Sequence, residues 1–363
     1  EVIIMHLSYL IKPASSLCNM ACKYCFYANV ASQRSDYSYG IMQEATIDNL
    51  VTKTLLMSNK ITYAFQGGEP TMAGLDFFKI FVNKVNEKKH NQIIHYSIQT
   101  NGINLDDSWL TFFKANHFLV GISLDGTKAN HDQVRLTNQS LPTYDLIMKN
   151  IKKIKQAQIN YNILTVITRQ VAKDVKRLYN FYKKNELQYI QLIPCLPELD
   201  QSTDNYYLTS QMFFWFYNEL FDLWYRDVTR GEYISISLFD HLLTLFKGVA
   251  PSLCGMLGFC TLQYVIEANG NVYPCDFYCL DEYLLGNINE DELSSIQSSR
   301  NGQKFIQEPK RMSPLCHDCK FKKLCNGNCK RMNVVYFDDK YCGYQAFLTK
   351  TYQRFYQLAN QIK

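Results

Sequence analysis

The sequence predicts a parallel α/β fold, a partial barrel of six strand–helix units, followed by a cysteine-rich C-terminal domain. Short runs rich in β-branched and aromatic residues recur six times up to residue 195, helical patterns lie between them, and cysteines cluster beyond residue 250. Strands that alternate with helices form βα units and a parallel sheet. Six units suit a barrel three quarters the size of the eight-stranded form, in which functional residues follow the C-terminal ends of strands.

The predicted strands have turn residues on either side; they are His6–Lys12, Ile61–Gln66, Ile93–Gln99, Phe118–Leu124, Tyr161–Thr168 and Tyr189–Cys195. The predicted helices have apolar residues at helical spacing; they are Met42–Ser58, Leu75–Lys88, Asp107–Lys114, Tyr144–Gln158 and Val171–Lys184. We predict a barrel domain over residues 1–196, a helical connector over 197–250 and a cysteine-rich domain over 251–363.

Composition and charge restrict the class of protein. The 363 residues are 47% hydrophobic, 20% charged and 14% aromatic, with a net charge of +5, which indicates an ordinary globular chain. Lys and Arg are scattered, which argues against a nucleic-acid track. The most apolar run, Met212–Tyr225, is interrupted by charged residues and predicts a buried helix, not a membrane span. The N-terminus does not resemble a signal peptide, and a monomer is the default expectation.

Thirteen cysteines indicate metal or redox chemistry. An odd count cannot pair completely, and the lack of a secretion signal predicts a reducing, cytoplasmic setting. Cys18, Cys22 and Cys25 form a Cys-X3-Cys-X2-Cys pattern after the first strand. Iron–sulfur clusters are held by cysteine thiolates, normally four, so three protein ligands would leave one iron open to a small molecule. A three-cysteine zinc knuckle, or three unrelated thiols, is the alternative.

Eight further cysteines suit two four-cysteine sites; they are Cys254, Cys260, Cys275, Cys316, Cys319, Cys325, Cys329 and Cys342. Two iron–sulfur clusters and two structural zinc sites both need four thiolates each, so counting ligands does not separate them. Cys195 and Cys279 are left over, and we expect them to be unligated thiols.

Polar residues follow the ends of the next three predicted strands, as Gly67-Gly68-Glu69-Pro70, Thr100-Asn101-Gly102 and Ser123-Leu124-Asp125-Gly126. Glycines allow close backbone approach, and a carboxylate can receive a ligand ammonium. Taken singly, each of these residues is equally well an ordinary turn former.

The three-cysteine loop and the Gly-Gly-Glu-Pro turn one strand later resemble the radical S-adenosylmethionine (SAM) superfamily. The resemblance implies that a cluster on the three cysteines binds SAM through its open iron. It also implies that Gly67, Gly68 and Glu69 hold the amino group of SAM. Further SAM contacts are implied at Gln99, Thr100, Asn101, Ser123, Arg135 and Leu196.

The C-terminal cysteines resemble the SPASM extension of radical SAM enzymes that act on peptides, which favours clusters over zinc. The family's crossed pattern implies two ligand sets: Cys254, Cys260, Cys275 and Cys329 for one [4Fe–4S] cluster, and Cys316, Cys319, Cys325 and Cys342 for the other. Together with the cluster on the three N-terminal cysteines, the resemblance implies three [4Fe–4S] clusters. Four cysteines leave no open iron, so we expect these two clusters to move electrons and not to bind substrate.

Within the SPASM group, Tyr-Pro-Cys-Asp-Phe-Tyr at 273–278 resembles the anaerobic sulfatase-maturating enzymes, and the similarity extends to 11–16, 65–71 and 221–225. It implies oxidation of a Cys or Ser in a sulfatase to Cα-formylglycine. A 5′-deoxyadenosyl radical would take a hydrogen from the β-carbon, and Asp276 would be the general base. Tyr27 and Gln66 would line the substrate side, with buried packing the alternative for Tyr27. A flavodoxin or ferredoxin is the expected electron donor.

Two other functions share parts of this pattern. A SPASM maturase that forms thioether or carbon–carbon crosslinks in a ribosomal peptide would use the same sites. The Asp after the cluster ligand, and the lack of an obvious peptide-recognition domain before Cys18, weigh against it. A non-catalytic zinc-binding scaffold is the third reading. The sequence does not separate Cys-type from Ser-type targets.

Overall fold

A computed structural model describes residues 6–199, 205–250 and 253–361. Residues 200–204 of the predicted connector and 251–252 of the predicted C-terminal domain lie outside the described residues. The strands are β1 His6–Ile11, β2 Lys60–Phe65, β3 Ile93–Thr100, β4 Leu119–Ser123, β5 Tyr161–Ile167, β6 Tyr189–Pro194, β7 Ser235–Ile236, β8 Val265–Ile266, β9 Asn271–Tyr273 and β10 Gly286–Asn287.

The helices are α1 Phe26–Ser32, α2 Glu44–Leu55, α3 Leu75–Lys88, α4 Asp107–Ala115, α5 Lys128–Val134, α6 Tyr144–Gln156, α7 Val175–Lys184, α8 Ser210–Val228, α9 Ser237–Phe246, α10 Leu293–Gln297, α11 Arg300–Gln307, α12 Lys322–Cys325 and α13 Gly343–Gln361. All six predicted strands and all five predicted helices are confirmed. The last predicted helix is divided, because Asp174 ends a short 3-10 turn and caps α7 by accepting a hydrogen bond from the backbone N–H of Arg177.

Two compact units make up the chain. The first unit comprises Glu1–Ser123, Arg135–Tyr161 and Thr261–Glu308, and the second comprises Leu124–Val134, Asn162–Cys260 and Pro309–Lys363. The division into barrel, connector and cysteine-rich domain stays a prediction.

In the first unit, seven strands form a sheet in the order β10-β9-β8-β1-β2-β3-β4. Strands β1 to β4 run parallel, β8 also runs parallel to β1, and β9 and β10 complete an antiparallel edge. Alternate residues of β1 and β2 are buried, among them Ile11 and Phe65, as expected for strands with one face packed against the core. The register pairs Ile11 with Ile266, so the residues that follow β1 and β8 emerge side by side.

In the second unit, β5, β6 and β7 run parallel, and α8 packs against α13. The predicted buried helix over Met212–Tyr225 is confirmed within α8, because its Phe213, Phe221 and Trp224 are fully buried. Aromatic rings fill the space between these helices; Phe221 and Phe355 lie 4.4 Å apart between ring centroids. No helix in the described part of the chain is long and apolar enough to cross a membrane.

Candidate active site

The three-cysteine loop lies directly after β1 and ends where α1 begins. Cys25 is the residue before α1, and its Sγ accepts a hydrogen bond from the backbone N–H of Ala28 at 3.4 Å. Burial, with smaller contributions from Glu69, Cys22 and Cys25, raises the pKa of Cys18 to about 12, although a hydrogen bond from the backbone of Met20 acts in the opposite direction. The three thiols therefore lie close enough to act on one another, as the ligands of one cluster must.

The Gly-Gly-Glu turn after β2 lies against the segment that leads into this loop. The N–H of Gly68 donates to the carbonyl of Ser15, and that of Glu69 donates to the carbonyl of Leu17, both at 2.8 Å. A Cβ on residue 68 would lie 2.4 Å from the Leu17 oxygen, a distance that no side chain tolerates. Gly67 has φ +128°, which other residues rarely adopt. The two glycines are required for this close approach.

The Glu69 carboxylate is completely buried and joins the ends of β2 and β3. Its Oε1 accepts hydrogen bonds from the N–H of Thr71 at 3.0 Å and from the hydroxyls of Thr71 and Thr100 at 2.7 Å. Its Oε2 accepts one from the N–H of Asn101 at 2.7 Å. Burial raises the pKa of Glu69, although these donors act in the opposite direction. Glu69 therefore holds the rim of the site together, and its contact with SAM stays a prediction.

Asn101 connects this rim to the three-cysteine loop. Its side-chain amide donates to Oδ1 of Asn19 at 2.7 Å and lies 3.9 Å from Sγ of Cys18. Thr100, Asn101 and Glu69, predicted from separate strand ends, are thus brought together next to a predicted cluster ligand.

The remaining predicted SAM residues occupy three places. Gln99 donates from Nε2 to Oγ of Ser123 at 3.1 Å, which joins the ends of β3 and β4. Arg135 is buried and donates from Nη1 to the hydroxyl of Tyr24, inside the cysteine loop, at 2.9 Å. Leu196 follows β6 in the second unit. Their contacts with SAM stay predictions.

Asp276, the predicted base, lies between an amide donor and a cation. Nε2 of Gln66 donates to its Oδ2 at 2.8 Å, so two predicted site residues are in contact. Nζ of Lys12 lies 2.5 Å from its Oδ1. Burial lowers the pKa of Lys12, but Asp276, Cys279 and Glu267 outweigh that effect, and the pKa of Lys12 is raised overall. Lys12 is therefore an ammonium paired with the Asp276 carboxylate.

Tyr27 is buried, and it contacts Lys12 through its ring and Glu267 through its hydroxyl. Its ring centroid is 3.3 Å from Nζ of Lys12, which places the ammonium over the aromatic face. Its hydroxyl donates to Oε1 of Glu267, and Nη1 of Arg34 contacts the same oxygen at 2.8 Å. Burial, then the charge of Glu267, raises the pKa of Tyr27 far above its ordinary value. Tyr27 is thus a neutral phenol that supports Lys12.

Sequence reasoning missed Lys12, Arg34 and Glu267 as site residues. A signal for Lys12 was present, because it is the first polar residue after β1, at the strand end where functional residues are expected. Arg34 and Glu267 gave no comparable signal, since each is a single charged residue in an irregular segment.

In the second unit, Cys316, Cys319, Cys325 and Cys342 line one cavity. Burial raises the pKa of Cys342 to about 11 and that of Cys325 as well, and Cys316 acts on both thiols. Across the residues that the structure describes, no three or more His, Cys, Asp or Glu side chains are arranged to hold a single metal ion. Thiols around a lone zinc lie within about 4 Å of each other. Four thiols that line one cavity could together hold a cluster.

The other predicted ligand set is divided between the units. Cys254, Cys260 and Cys329 belong to the second unit, where a Cβ on Gly255 would lie 3.3 Å from Cβ of Cys329. Cys275 belongs to the first unit, directly before Asp276. This grouping stays a prediction. The two cysteines left out of both sets, Cys195 and Cys279, are buried.

Two family models match the chain. Residues 13–182 match the radical SAM superfamily, and residues 258–320 match the iron–sulfur cluster-binding SPASM domain. These matches confirm the predicted fold class, and they imply iron–sulfur clusters and SAM as cofactors.

The chain is 39% identical to the cysteine-type anaerobic sulfatase-maturating enzyme of Clostridium novyi, over 98% of both chains. It is 28% identical to the serine-type enzyme of Bacteroides thetaiotaomicron, over 96% of this chain and 88% of that one. Its structure is similar to that of native anSMEcpe with bound AdoMet and Kp18Cys peptide, with a TM-score of 0.91 and 36% identity over 99% of this chain and 100% of that one. This protein belongs to the anaerobic sulfatase-maturating enzymes of the radical SAM superfamily.

Proposed function

We propose that this protein oxidises a specific cysteine of a sulfatase polypeptide to Cα-formylglycine. The observation that carries the proposal is the position of Asp276. This carboxylate directly follows a proposed cluster ligand, Cys275, and is paired with Lys12 and Gln66. A proton acceptor beside an electron acceptor is the arrangement that this oxidation requires.

The proposed cofactors are SAM and three [4Fe–4S] clusters. Cys18, Cys22 and Cys25 would hold the first cluster, and the two four-cysteine sets would hold the others. When bound, these groups supply the 5′-deoxyadenosyl radical that removes a hydrogen from the substrate β-carbon and the route by which one electron leaves. Glu69 and Asn101 hold the three-cysteine loop and the strand ends in register, which orients the cofactor and helps exclude water.

Asp276 is proposed to accept the proton of the substrate thiol. A radical on the β-carbon becomes a strong reductant only once the neighbouring thiol has lost its proton, so base and electron acceptor must be close together. Lys12 and Gln66 each contact one oxygen of the carboxylate and so restrict its rotation. Lys12 is itself enclosed, by Tyr27 on one side and Asp276 on the other. Both Lys12 and Gln66 are therefore positioning residues for the base.

The cysteine type is proposed over the serine type because the cysteine-type relative is more similar to this chain, 39% identical against 28%. The thioaldehyde first formed from cysteine would be hydrolysed by water to the aldehyde. The partner is therefore a sulfatase carrying the target cysteine, with a flavodoxin or ferredoxin as electron donor. We place the reaction in the cytoplasm, because thirteen cysteines suit a reducing compartment, and propose that the protein acts as a monomer.

Mass spectrometry tests this function. The anaerobically reconstituted protein is incubated with SAM, a reductant and a sulfatase-derived peptide that contains the target cysteine. Formylglycine formed from cysteine lowers the peptide mass by about 18 Da, whereas formylglycine formed from serine, or a crosslink of the kind formed by peptide maturases, lowers it by about 2 Da. Matched peptides with serine or alanine at the target position identify the preferred type. Release of 5′-deoxyadenosine without the 18 Da loss from the cysteine peptide would contradict the proposal.

A further inference from the structure

The net positive charge of the chain is concentrated in one segment of the second unit. Residues 309–345 contain eight Lys and Arg against three Asp, a formal charge of +5. The whole chain also carries +5, so the remaining residues are neutral in sum. The same segment contains Cys316, Cys319, Cys325 and Cys342, which line the cavity described above.

Three lysines of this segment form a basic face, which we define as Lys320, Lys322 and Lys323. All three are exposed, and none of them forms an ion pair within the described part of the chain. Nζ of Lys320 lies 4.9 Å from the ring centroid of Phe321. Lysines without a partner repel one another, and they attract a negatively charged surface.

Several other charged side chains of the segment have partners within the protein. Arg311 pairs with Asp339 at 3.0 Å, and His317 contacts Asp318 at 2.7 Å. Nζ of Lys310 donates to the backbone carbonyls of Asn326 and Asn328, and its pKa is lowered by burial. Lys340 is also exposed, but the three lysines of the basic face are grouped within four residues of the chain, next to the thiols of the cavity.

The basic face adjoins the four-thiol cavity. Phe321 and Lys322 line that cavity together with the thiols, and Lys320 follows Cys319 in the chain. The four cysteines are only partly buried. A cluster held there would lie near the surface with cationic side chains beside it, so a docked protein could exchange an electron over a short distance.

We propose that the basic face is the docking surface for an acidic one-electron carrier protein, which takes up the electron that leaves the substrate. This inference rests on the proposed function. One hydrogen atom leaves the β-carbon, one proton passes to Asp276, and one electron passes to the auxiliary clusters and then to the carrier. With an oxidised flavodoxin as carrier, the flavin is reduced by one electron. Charge complementarity then speeds association and selects the partner.

The test measures the affinity of the protein for an oxidised flavodoxin that has an acidic isoelectric point. The loaded protein is compared with the triple variant Lys320→Gln, Lys322→Gln, Lys323→Gln. The matched control is the triple variant Lys89→Gln, Lys149→Gln, Lys152→Gln, whose lysines are also exposed and belong to the first unit. Both variants lose three positive charges. Iron content and visible absorption verify that the clusters are loaded. Calorimetry measures flavodoxin binding, and stopped-flow absorbance measures electron exchange.

We expect the basic-face variant to raise the flavodoxin Kd at least tenfold, while the control stays within about twofold. Raising the salt concentration from about 0.02 M to about 0.5 M removes the advantage of the wild-type protein, because it shortens the range of charge interactions. Should the basic-face variant load iron poorly, the double variant Lys320→Gln, Lys323→Gln takes its place. Equal binding by the wild-type and basic-face proteins, or an equal loss in the control, would overturn the proposal.

A failure of the proposed function gives a different result. With dithionite as reductant, the peptide mass assay does not depend on flavodoxin. If no formylglycine forms but the basic face still governs flavodoxin binding, the docking surface stands and the proposed function falls. If formylglycine forms and the basic-face variant binds flavodoxin as tightly as the wild-type protein, the proposed function stands and the docking surface falls. Loss of sulfatase-peptide binding, with flavodoxin binding unchanged, would assign the face to the substrate and overturn the docking proposal.

Discussion

The ammonium of Lys12 and the carboxylate of Asp276, 264 positions apart in the chain, lie 2.5 Å apart between Nζ and Oδ1. The Lys12 side chain is completely buried, whereas that of Asp276 retains 17% of its exposure. The carboxylate of the pair is therefore partly exposed, and the ammonium is enclosed. This difference in exposure suits the role proposed for Asp276, because a bound peptide could contact the partly exposed carboxylate and not the buried ammonium.

Replacement of Lys12 by Met should reduce formylglycine formation at least tenfold and leave 5′-deoxyadenosine release largely intact. The carboxylate of Asp276 would lose its cation and one of its two orienting contacts, and a misplaced catalytic group slows the reaction strongly. Liquid chromatography of both products from one incubation measures the ratio. The pair of Lys84 with the exposed Glu44 provides a control, since Lys84→Met should change neither rate by more than about twofold. A parallel loss of both products in Lys12→Met would assign Lys12 to SAM binding.

Replacement of Asp276 by Asn should lower the rate of formylglycine formation by about 10² to 10⁴ fold, the usual contribution of a general base. The hydrogen-abstraction step does not need the base, so 5′-deoxyadenosine should still appear. The control is Asp281→Asn, five residues further on and exposed, which we expect to react at nearly the wild-type rate. An Asp276→Asn protein that makes formylglycine at the wild-type rate would remove Asp276 from the role of base.

Replacement of Arg34 by Met should destabilise the protein by about 3–5 kcal/mol, because it leaves the buried Glu267 carboxylate without its cation. The double variant Arg34→Met, Glu267→Met removes both charges and should be less destabilised than Arg34→Met alone. Urea unfolding followed by fluorescence measures the free energy of unfolding of each variant relative to the wild-type protein, at constant iron content. Additive losses in the double variant would show that the pair contributes no coupling energy.

Replacement of Cys342 by Ala should lower the iron content by as much as one four-iron cluster, about four irons per chain. Cys195→Ala provides the matched control, since Cys195 is buried and lies outside every proposed ligand set, and its iron content should be unchanged. Iron and protein assays on the same anaerobic preparation give the ratio. Equal iron in the two variants would exclude Cys342 from the ligands.

The protein should lose stability as the pH falls below about 6.5, in part through His241. Burial lowers the pKa of His241 below 6.5, although Asp240 acts in the opposite direction. The unfolded chain therefore binds a proton at a higher pH than the folded one, so the stability contributed by neutral His241 is present above pH 6.5 and lost as the pH falls through the folded pKa. Melting temperatures of the wild-type and His241→Gln proteins at pH 5.5, 6.5 and 7.5 test this. Parallel curves for the two proteins would contradict it.

The sequence by itself determined the order of elements and the positions of the thiols. The alternation of β1 to β6 with helices was readable because each strand has five residues or more and each helix shows an apolar face over several turns. The four thiols around the cavity were grouped by resemblance before the structure placed them together. Such features reside in short stretches of chain, where a periodicity or a spacing is complete.

Only the tertiary structure decided the charged network behind the base. Strand β8 has two residues, too few to show a period, yet its parallel pairing with β1 places Glu267 beside Lys12. The contacts of Arg34 with Glu267 and of Lys12 with Asp276 join positions more than 230 residues apart. The physical reason is that an ion pair depends on which strands are neighbours in the sheet, and strand order is a property of the whole packed chain.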